Sequence, residues 1–253
     1  MSISLNIGWL ATVVLLSIRV AAATAVGAVL GPSQIPGMVR VLLSLMLGVL
    51  LASAPTTRVT PVASLDQLLG AGVAEVLIGA ALAGGFLAAY GATQVAGRIL
   101  DTQTGFGVAA IFDPATGSVA PITGTLFGMA AVCLFLAMNG HHVLIRALAT
   151  SVQTFPPGGA PQGIDWGAAL AQGGVMFSYG LVLAAPVMSA LLLADLTMTV
   201  FARSMPQLNV FIMGFPLKIM LGLAGLAVSI RFSTTVLTAL FDSTFHYWAH
   251  VAG

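Results

Sequence analysis

Six stretches of this sequence are apolar over roughly the length that a helix needs to cross a bilayer. They cover residues 8–30, 38–54, 68–90, 122–140, 174–200 and 210–232. A helix that spans the hydrocarbon core takes about 20 apolar residues. Only 6% of the 253 residues are charged, whereas soluble domains average about 25%. The chain has too few charges to cover a water-facing surface, and the sequence therefore predicts an all-α integral membrane protein.

Segments rich in proline, glycine and polar residues separate these stretches. They lie at 31–37, 55–61, 97–121, 154–163 and 203–209, and such segments are typical of turns and loops. The first apolar stretch lacks a basic segment before it, so we interpret it as a retained membrane helix. We predict a single domain over 1–253, with N-terminal helices in 1–153 that include the connection 97–121, a linker at 154–163, and a C-terminal helical hairpin and tail in 164–253.

The positive charges in the loops do not define an orientation in the membrane. With six spans, three arginines would lie on each side, Arg58, Arg146 and Arg231 on one and Arg40, Arg98 and Arg203 on the other. Membrane proteins usually carry an excess of positive charge on the cytoplasmic side. The balance indicates either that partner proteins set the topology or that the segments are not six simple spans.

Small residues recur four positions apart in the third apolar stretch. Gly84 follows Ala80 and precedes Ala88 at this spacing, and Gly85 follows Ala81. Such spacing lets helices approach closely in lipid, although alanine and glycine are abundant throughout this chain. The pattern predicts tight helix packing and does not identify a partner.

Four charged residues lie well inside the predicted spans, away from the span ends: Arg19, Glu75, Asp195 and Lys218, the only lysine. Each costs about 2.5–3.5 kcal/mol at a helix centre unless it is paired or hydrated. Asp195 and Lys218 lie at similar distances along the chain from Pro206, in the turn between their helices. An antiparallel hairpin would place both charges at one depth, so we predict that they pair or share a polar seam. The alternative is that Lys218 snorkels or contacts another subunit.

Glu75 has one candidate partner of opposite charge within a span, which is Arg19. The geometry permits this pair, but the spacing along the chain does not indicate it. A proton-relay role for Glu75 would be typical of a transporter, and nothing else in the sequence supports that role.

Four histidines lie in two groups. His141 and His142 are adjacent, so on a helix they point about 100° apart and form no shared metal-binding face. We interpret them as interfacial polar caps. Asp242, His246 and His250 could share one face of a short helix among aromatic residues. We interpret that segment as an amphipathic interfacial tail and not as a metal site.

No arrangement of residues in the sequence indicates catalysis. There is no nucleophile–base pattern, no phosphate-binding glycine loop and no metal signature, so we predict a protein that is not an enzyme and has no cofactor. The net charge of +1 gives no electrostatic reason to expect binding to nucleic acid.

The segment PQLNVFIMGFPLK at 206–218 resembles the signature of the FliR family, the flagellar export-gate components whose type III secretion counterpart is SctT. The signature residues are Pro206, Gln207, Asn209, Phe211, Phe215, Pro216 and Lys218. The resemblance extends over about the whole chain. It includes EVLIGAALAG at 75–84, GRILDTQTGFGVAAIFDPATG at 97–117, NGHH at 139–142, and the long segment 185–218. The NGHH segment favours the flagellar branch of the family.

The resemblance implies a subunit of the export gate in the bacterial inner membrane, within the flagellar basal body. It implies FliP and FliQ homologues as partners, a FlhB homologue alongside, and unfolded flagellar proteins as transient cargo. In that family, broken helical hairpins pack into a closed cone that is partly raised out of the membrane plane. Because much of the cone lies outside the membrane plane, such packing would explain the arginine balance. It would also explain the prolines and polar groups at apparent membrane depth, because broken helices are tolerated where protein or a water-filled cavity covers them.

The resemblance also marks the central loop as the candidate pore or gate segment. The residues concerned are Gly105, Phe106, Gly107, Phe112 and Asp113. The sequence itself shows only a glycine-rich, weakly apolar connection at this position.

Two other functions stay open at this point. A small secondary transporter would use broken helices and midplane charges, but it should show paired interruptions in two repeated halves, which the sequence lacks. A structural scaffold with no conduction role is the other alternative. A transporter should be stable alone, whereas an export-gate subunit should depend on heterologous partners.

Overall fold

Long helices account for nearly all of the described part of the chain. The computed structural model describes residues 7–25, 36–54, 57, 64–106, 121–159, 164–204 and 210–252. Within these residues the helices are α1 (Ile7–Ala25), α2 (Gly37–Ala52), α3 (Leu65–Thr104), α4 (Ile122–Ala137), α5 (Gly140–Thr154), α6 (Trp166–Ser204) and α7 (Val210–Ala252). The predicted all-α fold is confirmed.

The helix boundaries differ from the predicted spans in three places. α3 continues through residues 97–104, which the sequence analysis assigned to the central connection. α5 was not predicted as a separate helix. α7 is 43 residues long and includes the segment predicted to be a short interfacial tail. The long helices continue past small and helix-breaking residues: Gly84 and Gly85 lie inside α3, Pro186 inside α6 and Pro216 inside α7.

Fewer helices qualify as simple membrane spans than the six apolar stretches predict. Within the described residues, Asp66–Thr104 and Trp166–Ser204 are each long and apolar enough to cross a bilayer. The number rises to four if each of two bent helix pairs is counted as one span. One pair is α4 with α5, bent by 70°, and the other is the two parts of α7, Gly214–Ser229 and Arg231–Ala252, bent by 59°. α1 and α2 are apolar but shorter, at 19 and 16 residues.

The chain forms two compact units. The first contains Met1–Ala89, Phe135–Gly174 and Phe241–Gly253, and the second contains Tyr90–Leu134 and Val175–Leu240. The helices α3, α4, α6 and α7 each contribute residues to both units.

Aromatic side chains from the end of α7 lie in the core of the first unit. Trp248 is fully buried, and its Nε1 donates a hydrogen bond to the Leu82 carbonyl at 2.8 Å. The Tyr247 hydroxyl donates to the Ala81 carbonyl at 2.5 Å. The prediction of an interfacial tail is therefore wrong, since these rings pack against α3 instead of lying on a surface.

The small residues of α3 make room for those rings. A Cβ added at Gly85 would lie 2.7 Å from Nε1 of Trp248, and one at Gly84 would lie 3.0 Å from the Tyr247 hydroxyl oxygen. The predicted tight packing is confirmed, and its partner within this unit is the aromatic end of α7.

The boundary between α4 and α5 has a local cause. Asn139 adopts a left-handed conformation with φ 55°, which asparagine tolerates better than most residues and which a continuous α-helix does not allow. Gly140 follows, with the Phe135 ring packed where a side chain would otherwise lie. α4 therefore ends close to the predicted end of the apolar stretch 122–140, and α5 begins there as a second helix.

The N-terminus of α6 is capped by an aspartate. The Asp165 carboxylate accepts a hydrogen bond from the Ala168 N–H at 2.9 Å. That bond, followed by the contact with His250, lowers the pKa of the Asp165 carboxyl below its ordinary value. The cap therefore stabilises the fold above the ordinary aspartate pKa, and this contribution is lost as the pH falls through the lowered value.

Candidate functional site

The first candidate site is an ion pair buried in the first unit. Arg19 of α1 and Glu75 of α3 are both 0% exposed, and Arg19 Nε lies 2.5 Å from Glu75 Oε2. Arg19 Nη2 also donates to Glu75 Oε1 at 3.1 Å, so the pair is bidentate. A planar guanidinium matches a carboxylate in this way, and a lysine ammonium does not.

Arg19 also binds the C-terminal end of α5. Its Nη1 donates to the Ser151 carbonyl at 2.9 Å and to the Ser151 hydroxyl at 3.2 Å. Its Nη2 donates to the Phe155 carbonyl at 2.8 Å. Together with the two bonds to Glu75, these use all five N–H donors of a guanidinium. A cation at this position also complements the negative end of the α5 dipole.

Glu75 is equally well satisfied. Its Oε2 accepts from Arg19, and its Oε1 accepts from Arg19 and from the Gly158 N–H at 3.4 Å. The pair, which spacing along the chain did not indicate, joins α1, α3 and the turn after α5. These bonds are suited to holding three segments together, since buried charges persist where they are paired and hydrogen-bonded.

The second candidate site is the predicted hairpin pair in the second unit. Lys218 Nζ of α7 lies 2.6 Å from Asp195 Oδ1 of α6, which confirms the predicted pairing. The two side chains remain 30% and 36% exposed. They line a groove of about 470 Å³ together with Met198, Thr199, Ala202, Gly214 and Phe215.

The end of α3 lies against the same part of α7. Gly105 has φ 88°, and a Cβ added there would lie 2.5 Å from Cε2 of the Phe215 ring. Phe106 is half-buried. The structure thus brings Gly105 from the candidate gate segment beside Phe215 from the signature segment, within one helical turn of Lys218.

The other residues of the candidate gate segment and of the signature segment are described only in part. The side chain of Phe211 is not described, although its backbone belongs to α7, and Pro216 lies within that helix. Outside the described residues lie Gly107, Phe112, Asp113, Pro206, Gln207 and Asn209.

The histidines occupy two different settings. The rings of His141 and His142 lie 4.2 Å apart between centroids, and His141 Nδ1 is buried without a hydrogen-bond partner. His250 Nε2 lies 3.5 Å from Asp165 Oδ2 on an exposed part of the first unit. Within the described ranges no group of three or more His, Cys, Asp or Glu side chains is placed to hold a metal ion.

Two features of the structure carry no clear signal in the sequence. The carbonyls of Ser151 and Phe155 bind Arg19, but every residue carries a carbonyl, so no residue type marks them. Trp248 is one of the aromatic residues around Asp242, His246 and His250, and its sequence position alone does not show that it is buried. Its burial depends on the small side chains that face it from α3.

Comparison with known proteins identifies relatives over most of the chain. The family described as bacterial export proteins, family 1, matches residues 10–244. The chain is 32% identical over 235 residues to the flagellar biosynthetic protein FliR of Escherichia coli K12, covering 92% of this chain and 90% of that protein.

Two further relatives come from different systems. The FliR protein of Bacillus subtilis 168 is 34% identical over 179 residues, which is 67% of each chain. The secretion system apparatus protein SsaT of Salmonella typhimurium LT2 is 30% identical over 171 residues, or 65% of this chain and 64% of SsaT. The family match, these relatives and the apolar helices of the fold together show that the chain belongs to family 1 of the bacterial export proteins, a family of membrane proteins that includes FliR.

Proposed function

We propose that this chain is a subunit of the flagellar type III protein export gate in the bacterial inner membrane. With FliP and FliQ homologues it forms the channel through which unfolded flagellar proteins cross, and a FlhB homologue docks alongside. The chain itself catalyses no reaction. Family membership supports an export role, and the greater coverage by the E. coli FliR protein than by SsaT favours a flagellar system.

The observation that carries the proposal is the apolar surface of α6. Large apolar side chains are exposed along the helix from Trp166, at 45%, to Phe201, at 55%. In between lie others that are more exposed still, among them Leu170, Phe177 and Leu193. A helix uses about 17–25 residues to cross the hydrocarbon core. The exposed apolar side chains of α6 extend over a longer segment than that, so lipid alone does not cover them and other protein chains are needed.

The two ion pairs support the same proposal in different ways. The pair of Asp195 and Lys218 is partly exposed on α6 and α7, where a neighbouring subunit could shield it. Arg19 and Glu75 are fully engaged with each other and with backbone groups, which leaves neither free to carry a substrate or a proton. Glu75, the residue that a transporter would use as a proton relay, is therefore not available for that role.

Deleting the gene for this chain in its own organism tests the proposal. We expect secretion of the flagellar filament protein to stop while the protein still accumulates inside the cell, and a plasmid copy of the gene to restore secretion. Continued secretion from the deletion strain would refute the proposal, because a transporter or an unrelated membrane protein would leave flagellar export intact.

Reversing one charge of the hairpin pair should impair assembly. Asp195→Lys places a second cation beside Lys218, and an unpaired charge within a helix span costs about 2.5–3.5 kcal/mol. We expect the yield of the complex with FliP and FliQ homologues to fall at least about tenfold, since each 1.4 kcal/mol corresponds to a factor of ten.

The reciprocal variant provides the control for this experiment. Asp195→Lys combined with Lys218→Asp restores an opposite-charge pair and should recover part of the yield. Asp66→Lys, at an exposed position at the start of α3, should leave the yield unchanged. If the double variant assembles no better than Asp195→Lys alone, the pair does not stabilise assembly through its mutual attraction.

A further inference from the structure

Three residues on one face of α3 hold the beginning of α4. Gln94, Gly97 and Asp101 follow one another at spacings of three and four, so they share a face of the helix. Gln94 Nε2 donates to the Gly124 carbonyl at 3.4 Å. A Cβ added at Gly97 would overlap the backbone of Gly124. The first turn of α4 therefore lies directly on the backbone of α3.

Asp101 forms the specific bonds of this contact. Its side chain is buried at 6% exposure. Its Oδ1 accepts a hydrogen bond from the Thr123 N–H at 3.2 Å and a second, short one from the Thr123 hydroxyl. The N–H groups of a first helical turn lack partners within their own helix, and a carboxylate at that end also complements the helix dipole. Asp101 thus caps α4 from a different helix.

The same end of α3 contacts α7. Thr104 packs where Gly222 has no side chain, and Gly105 lies against the ring of Phe215. Lys218, which forms the ion pair with α6, lies between these two contact positions on α7. The last two turns of α3 therefore set the position of α4 on one side and contact the candidate site on the other.

We propose that Asp101 is a positioning residue for protein export, an inference that rests on the proposed export function. It acts through Thr123 and fixes where α4 begins relative to the end of α3 that carries Gly105. Without the acceptor oxygen, the first turn of α4 loses its cap. It can then shift along α3, because Gly97 has no side chain to block the movement. The subunit still folds and assembles, but the first turn of α4 no longer holds one position relative to the end of α3.

Hydrogen-bond geometry, not charge, is the property that the experiment isolates. Asp101→Asn retains an oxygen that can accept both bonds from Thr123, whereas Asp101→Ala removes it and Thr123→Val removes the hydroxyl donor. Each variant is expressed as the full chain with its FliP and FliQ homologues, in a strain that lacks the native gene. Complex yield is measured by native mass spectrometry, and export is measured as secreted filament protein.

We expect all three variants to assemble at the wild-type yield. Loss of a helix cap shifts the equilibrium of the helix end roughly fivefold, so secretion should fall about that much in Asp101→Ala and by a smaller factor in Thr123→Val. Asp101→Asn should secrete near the wild-type level. Asp101→Ala combined with Thr123→Val should be no worse than Asp101→Ala alone, because both changes remove the same interaction.

The controls separate this inference from the proposed function. Thr102→Val, at an exposed neighbouring position, should secrete normally. Wild-type secretion by Asp101→Ala, a loss of secretion by Asp101→Asn as large as that by Asp101→Ala, or a loss of complex that parallels the loss of secretion would each overturn the positioning role. If the wild-type chain itself neither assembles nor supports secretion, the proposed function fails, and the positioning role fails with it.

Discussion

Replacing Arg19 with alanine is expected to destabilise the first unit by about 3–5 kcal/mol, because it leaves the Glu75 carboxylate buried without its partner. It also removes the bonds that bind the Ser151 and Phe155 carbonyls. The measurement is thermal unfolding of the purified complex in detergent, with limited proteolysis to locate the opened segment. Cleavage should appear first in the turn that follows α5.

The pattern across related variants distinguishes pairing from simple loss of volume. Arg19→Lys should recover little stability, because a single ammonium cannot reach Glu75 and both carbonyls together. Arg19→Ala combined with Glu75→Ala should be less destabilised than the sum of the two single variants, because it removes both charges. Arg98→Ala, at an exposed position on α3, is the matched control and should have little effect. Full stability of Arg19→Lys would contradict the five-bond description of this site.

Replacing Trp248 with alanine is expected to cost about 3–5 kcal/mol, as for other buried aromatic side chains. The ring is fully buried, donates to the Leu82 carbonyl and lies 4.8 Å between centroids from Phe86. The change should lower the unfolding midpoint of the complex and expose the C-terminal end of α7 to carboxypeptidase or protease.

A second tryptophan serves as the control for this prediction. Trp166 is 45% exposed at the start of α6, so Trp166→Ala should change the unfolding midpoint much less. Gly85→Val should resemble Trp248→Ala, because a side chain at that position meets the indole ring. Equal, small effects of Trp248→Ala and Trp166→Ala would mean that the end of α7 lies on the surface, as the sequence pattern alone had indicated.

The sequence predicted the part of the site that local geometry determines. Asp195 and Lys218 lie on consecutive helices at similar distances from one short turn, so hairpin symmetry alone brings them together. Arg19 and Glu75 lie 56 residues apart along the chain, with α2 between them. Their pairing depends on how α1 packs on α3, and no spacing rule reports that packing.

The differences between the predicted and the observed helices have related causes. Apolar periodicity marks membrane-length segments well, but it does not show where a helix of mixed polarity such as residues 97–104 continues beyond them. The division at Asn139 depends on one backbone conformation. The end of α7 looks amphipathic in isolation, and only the small residues Gly84 and Gly85 on α3 reveal that its aromatic rings have a buried place to pack.

Native mass spectrometry of the purified chain shows whether it is a subunit of a complex with FliP and FliQ homologues. The tagged protein is extracted in mild detergent after expression alone and after co-expression with its FliP and FliQ homologues. We expect aggregation or degradation of the chain alone, and one large complex containing all three proteins after co-expression. A well-behaved monomer or homodimer that does not bind those homologues would contradict the proposal.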